Sequence, residues 1–257
     1  MKVFLLVTLL SSSLVQAEEW TPPSDPDPHA ILEAAQDDMD AKNYASALAK
    51  HVWYHNNALS IDPHLHGVRL SFALSHWAEL AKVHGPALRA LEQARDTAQY
   101  KVFTGIDVRH SFHDMKAIND VLGEHEKTKS MFELLDAQDP ASAKVVFHIA
   151  QPALVESKSY ALVGKYISPK EDFARMKEGY DINKFLASQP GNEDLYGDFA
   201  NKKFLNSTTT LIAILVVNDR HAEAATIADA ARNEWDDKAF HAAIEQALTG
   251  AVPDPWP

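Results

Sequence analysis

No cysteine occurs anywhere in the chain of 257 residues, so disulfides and thiolate zinc sites are both excluded and burial alone must hold the fold. Glycine is scarce and scattered. Its nine residues are never grouped as a phosphate loop or a dinucleotide-binding fingerprint requires. Basic clusters are missing too. With 24 basic against 36 acidic residues the net charge is −12, a surface that repels phosphate backbones and anionic headgroups, so nucleic acid is not an expected partner. Ser111 lies in no G-x-S-x-G setting, and no other serine is presented as a nucleophile.

The ends of the chain are distinct in composition. Lys2, the apolar run Val3 to Leu10 and the small-x-small triplet Val15-Gln16-Ala17 read as an export signal over residues 1–17, cleaved before Glu18. That run is too short for a membrane span, which takes roughly 20 residues, and no later cysteine is present to carry a lipid. The expected product is a soluble periplasmic or extracellular protein without an anchor, one charge more negative once Lys2 is gone. Residues 18–29 form a proline-rich acidic leader arm, in which Trp20 either docks on the first helix pair or stays in solvent. Residues 251–257 form a proline and tryptophan tail, with Trp256 expected to pack back on the last pair.

Between these ends, residues 30–250 read as one all-α helical-repeat domain. Helices are expected over 30–40, 44–60, 65–83, 86–103, 108–122, 125–138, 141–150, 152–167, 170–188, 194–218, 221–234 and 237–248, with 141–167 as one kinked helix the alternative at Pro152, the weakest of these boundaries. Prolines 63, 86, 140, 152, 169 and 190 fall at or beside the proposed starts, where a missing N–H costs least. Within 65–83, Leu70, Ala73, Leu74, Trp77, Ala81 and His84 recur at helical spacing, with Arg69, Glu79 and Lys82 off that face. Trp53, Phe72 and Trp77 read as core. The run Thr208 to Val217, TTTLIAILVV, favours a strand by propensity. It is read as helix because no second such run exists to pair with it.

Three segments share a pattern: 44–63, 123–140 and 219–236. Gly123, Thr128, Phe132, Leu135 and Pro140 give a glycine turn, a helical face and a closing proline; Ala58 with Pro63, and Ala224 with Ala228 and Ala231, repeat parts of it. On these residues the chain resembles the tetratricopeptide-repeat family, without its regular period or the tryptophan-leucine-glycine signature of its first helix. The resemblance implies an α-solenoid of irregular antiparallel helix pairs that binds a protein or peptide on a concave face.

The candidate site residues are His51, His55, Arg69, His76, Arg109, His110, His113 and Asp114. His51 and His55 stand at i, i+4, a spacing that can hold a metal between two imidazoles, and His64 and His66 follow. Valine at position 52 occupies the place of the glutamate that a zinc peptidase needs. His110 and His113 stand at i, i+3 beside Asp114. The histidines are therefore read as residues that hydrogen-bond between helices, line a groove or face solvent, with no metal, cofactor or catalytic residue expected. Arg69 and Arg109, at apolar borders, are read as ion-pair partners of Asp96, Asp107 or Asp114, with capture of a ligand carboxylate as the sharper alternative. Glu171 with Asp172, and Glu193 with Asp194, read as first-turn charges favoured by the helix dipole.

Two functions compete on this reading. One is an exported scaffold that binds a protein or peptide. The other is a metal-dependent or other hydrolase, in which histidines 51/55, 76 and 110/113 would converge within ligand distance.

Overall fold

The structure, a computed structural model, describes residues 20–256, with side chains for all of these except 193–197. The expected export signal lies outside the described residues. Among these residues there is no strand, and the chain divides into two compact units, Met1–Glu92 and Gln93–Pro257.

In the first unit, α1 (Pro28–Asp40) starts on Asp27, whose carboxylate accepts the amide of His29, with Pro28 at the first helical position. Helix α2 (Tyr44–Ile61) packs along it. Ala35 and Ala47 are fully buried, and side chains this small let the two helices approach closely. Asp62-Pro63 ends α2 as expected, with Asp62 accepting the amide of His64 and capping a short 3-10 turn, Pro63–Leu65. Trp20 docks on this pair. Its ring meets Trp53 edge-on at 6.4 Å, and the Lys50 ammonium lies 5.3 Å from its centre. Lys50 itself is buried and paired with Asp38.

The helix expected over 65–83 is two helices, α3 (His66–Leu70) and α4 (Phe72–Val83). Ser71 breaks it. Its hydroxyl donates to the Gly67 carbonyl at 2.8 Å, the acceptor its own amide would use in a continuous helix, and that amide turns to Val68 instead. The break re-aims its neighbours. Phe72, expected in the core, is 67% exposed, whereas Arg69, expected off the buried face, is buried. Ala73, Leu74, Trp77 and Leu80 carry the buried face of α4, and Tyr54, Ala58, Leu65 and Ala73 form one core with Leu32, Leu59 and Val68 at its edge. Helix α5 (Gly85–Phe103) contains the unit boundary.

The second unit continues with α6 (Val108–Leu122), α7 (His125–Gln138), α8 (Pro140–Glu156), α9 (Tyr160–Tyr166), α10 (Pro169–Ala187), α11 (Glu193–Val217), α12 (His221–Glu234) and α13 (Lys238–Ala247). Helices α6, α7 and α8 pack together, α9 bridges α8 and α11, and α10, α12 and α13 pack around α11. Phe112, Met115, Phe132 and Phe147 fill the first part of its core, and Phe204, Phe240 and the run Leu211 to Leu215 fill the second. That run is helical and buried on every residue. Partners around this stretch of α11 bury all its faces, and this packing overrides strand propensity.

Pro152 is not a helix start: it lies inside α8, as the alternative of a helix running through it expects, though that helix does not reach 167. The chain breaks later, at Lys158, where φ is +57°. There the amide of Ser159 closes on the Leu154 carbonyl and that of Lys158 on Val155, the six-residue closure that ends many helices. The same closure ends α1 at Lys42, α5 at Gly105, α6 at Gly123 and α11 at Asp219. Two side chains beyond α11 then seat α9. Asn218 donates to the Tyr160 carbonyl at 3.0 Å, and Arg220 donates to the carbonyls of Gly164 and Ile167 at 3.1 and 3.3 Å. The tail returns to α11 rather than to the last pair: Trp256 packs on Phe199 at 5.1 Å, and Asn206 bonds the backbone of Asp254 and Trp256.

Candidate functional site

Four of the candidate residues belong to the first unit, and two of them, His51 and His55, pack on one tryptophan. His51 and His55 project from the same face of α2 as Tyr54 and Ala58, a consequence of the 3.6-residue repeat. The Trp77 ring, from α4, stacks on His51 at 6.3 Å with planes 9° apart and meets His55 edge-on at 5.7 Å. Its indole N–H donates to the Ala87 carbonyl at 3.1 Å. Arg69, from α3, donates Nε to the His55 carbonyl at 2.7 Å and lies 3.1 Å from His55 Nε2 through Nη2. A guanidinium can only donate, so Nε2 of His55 stands as the acceptor in that contact.

His51 is the most enclosed of these residues, at 2% exposure. Burial, reinforced by His76, pushes its pKa down to about 4. Neither of its ring nitrogens has a partner among the described residues, and the Tyr54 hydroxyl and Nδ1 of His76 are likewise buried without one. Burial also pushes the Tyr54 hydroxyl up, against the influence of the Arg69 charge. The imidazole of His51 is therefore uncharged at neutral pH and cannot serve there as a charged ligand clamp. Among the described residues no group of three or more histidine, aspartate or glutamate side chains is placed to hold a metal ion.

The other four candidates lie on α6 in the second unit. His110 Nδ1 is 2.8 Å from Asp107 Oδ1 with both side chains exposed, an arrangement that ties down the start of the helix. Arg109 is exposed, and His113 and Asp114 are half-buried. Of the carboxylates expected beside Arg69 or Arg109, Asp96 is held by Arg95 and Asp107 by His110.

A groove that the sequence reading missed lies between α10 and α11. It encloses about 320 Å³. Arg175, Gly179 and Asn183 recur at i, i+4, i+8 along its α10 wall, and Ala200, Lys203 and Ser207 line its α11 wall. Tyr180 and Phe204 stack at 4.5 Å, 21° apart, and make its floor. Gly179 leaves the wall open, since a Cβ there would meet nothing within 4 Å.

Arg175 is held from behind. Asp172, buried at 4% exposure, accepts from Arg175 Nη2 and, through Oδ2, from the Ser168 amide at 3.0 Å. Its Oδ1 also lies 3.7 Å from His148 Nε2. Burial, with the Arg175 charge close by, holds His148 below the usual histidine range. Asp172 is the first-turn charge expected of it and also anchors Arg175. The signal available in the sequence was Gly179, a residue that weakens a helix interior unless something needs the space. Comparison with protein-family models, curated proteins and solved structures finds no match to this chain.

Proposed function

We propose that this chain is an exported scaffold of tetratricopeptide-like helix pairs that binds a protein or peptide and carries out no catalysis. The observation that carries this reading is the α10–α11 groove, which presents an aromatic floor and polar, cationic walls within a packed helix pair. Helical-repeat proteins bind extended partners on such surfaces. The hydrolase alternative would need accessible acid-base groups at histidines 51/55 and 110/113. His51, enclosed and neutral against Trp77, does not meet that need. No helix among the described residues is long and apolar enough to cross a membrane.

Selection of random peptides on the wild-type protein, with counter-selection on Gly179→Trp, tests the binding reading. The substitution enters open space, so it plugs the groove while the core stays intact. Selected peptides should lose roughly tenfold or more in affinity, about 1.4 kcal/mol, on the plugged variant. If no peptide prefers the wild type, the groove is not a binding surface. Export is tested separately by mass spectrometry of protein from the producing cell, which should show a chain beginning at Glu18. An intact Met1 in the soluble fraction would refute it.

A further inference from the structure

The geometry points to a specific ligand chemistry for the α10–α11 groove: a carboxylate joined to an apolar or aromatic body. This inference rests on the binding reading above and adds the charge and size of what is bound. Three observations carry it.

The first is charge. The chain as a whole holds 36 acidic against 24 basic residues, yet among the described residues the groove is lined by Arg175 and Lys203 and by no carboxylate, Asp172 meeting Arg175 from behind the wall. An acidic protein that concentrates two cations in a concave, partly desolvated site favours an anion there. The second is availability. Asp172 occupies Nη2 of Arg175 and fixes the guanidinium. Among the described residues, Nε and Nη1 have no acceptor, and the Lys203 ammonium makes only a contact with the Phe199 ring at 5.4 Å. Donors are thus held ready at the walls, and charge-assisted hydrogen bonds to a carboxylate are the strong kind.

The third is shape. About 320 Å³ lies at the lower end of small-molecule sites, which run roughly 300 to 1,000 Å³. That space suits one amino-acid-sized group. The stacked rings of Tyr180 and Phe204 offer it an aromatic floor. Asn183 gives its N–H to the Gly179 carbonyl at 2.8 Å, which leaves its side-chain oxygen to accept an N–H from the ligand. A group with a carboxylate, an adjacent N–H and an apolar side chain is an acylated amino acid or the last residue of a peptide.

The experiment uses the full chain with methionine methyl groups labelled for NMR, Met176 being the reporter in the groove. Four probes are titrated: N-acetylphenylalanine, its amide, a hexapeptide ending in phenylalanine with a free carboxylate, and the same hexapeptide amidated. Both acids should shift the Met176 signal saturably, and both amides should bind roughly tenfold more weakly or worse. Lys203→Gln changes an exposed side chain and should weaken only the acids, about fivefold. Arg175→Lys, which keeps a cation for Asp172, should weaken them as well.

A hexapeptide acid that binds more tightly than N-acetylphenylalanine supports the site with a chain end as the source. Equal affinity supports it with a free small acid as the source. Amides that bind as well as acids overturn the carboxylate assignment. If none of the four probes shifts Met176 while selected peptides still discriminate Gly179→Trp, this inference fails and the scaffold reading stands. If those peptides are absent too, both fall together.

Discussion

Acidification from pH 7 to pH 5 should cost the first unit about 2 kcal/mol through His51 alone. The ring is neutral in the fold because its pKa is pushed from 6.5 down to about 4. In the unfolded chain it titrates near 6.5. As pH falls below that value the unfolded state binds a proton that the native state refuses, so stability drops. The loss grows by about 1.4 kcal/mol per pH unit and levels off near 3 kcal/mol once the pH passes below about 4, where both states are protonated.

The assay is urea unfolding across this range with 5-fluorotryptophan labelling. Trp20, Trp53 and Trp77 then report on the first unit, and Trp235 and Trp256 on the second. His51→Leu removes the titrating group, and the other histidines cancel in the comparison. The wild-type curve should steepen towards acid by about 2 kcal/mol relative to the variant at pH 5, and only in the first-unit signals. Parallel pH profiles for the two proteins would refute the claim that His51 is held neutral by burial.

Further substitutions probe the second unit. Gly164→Ala places a Cβ against the Asn218 carboxamide and should cost about 1–3 kcal/mol; in an Asn218→Ala background the same change should cost much less, and additive losses in urea unfolding would dismiss the clash. Asn119 and Thr128 are fully buried and joined by a hydrogen bond of 2.9 Å, so Thr128→Val should lose about 1–3 kcal/mol. Part of that loss should return when Asn119→Leu is added, and a double mutant no better than the sum of the singles would count against the pairing. Gly179→Ala should stabilise the fold by about 0.5–1 kcal/mol, measured by thermal unfolding, and a destabilisation would mean that the groove wall is not open.

Proline and glycine made most helix boundaries legible, because their effects are local and strong. Asp62-Pro63, Gly85-Pro86, Gly123, Asp139-Pro140 and Ser168-Pro169 all sit at helix ends. The breaks at Lys42 and Asp219 also fall where the sequence places them, between the expected helices 30–40 and 44–60 and between 194–218 and 221–234. The end at Lys158 was illegible: it adopts a left-handed backbone that lysine does not advertise, and the hydrogen-bonded closure around it outweighs the local cost. Ser71 belongs with it, since a serine inside a periodic pattern is ordinary until its hydroxyl captures a carbonyl. Misreading that break misplaced Phe72 and Arg69.

The candidate residues show a similar division. The i, i+4 pair His51 and His55 was visible, as helix geometry alone fixes it. The stacking of Trp77 between them depends on how α4 packs on α2, and no periodicity encodes that. The α10–α11 groove lies further still from a linear reading, because its two walls become one site only after the helices pack. Gly179 was its single mark in the sequence.

The seat of α9 has a consequence in time. A helix of seven residues is too short to persist alone in water, and its carbonyls at Tyr160, Gly164 and Ile167 are answered by Asn218 and Arg220, which follow them by 53 to 58 positions. A ribosome adding about 5–20 residues per second delivers those partners roughly 3 to 12 seconds after the segment has emerged. Through that interval the α6–α8 layer can form while the stretch after it stays without a seat. The segment that joins the two halves of the second core is therefore seated only after α11 is complete, and a nascent chain stalled before residue 218 would leave this joint undone.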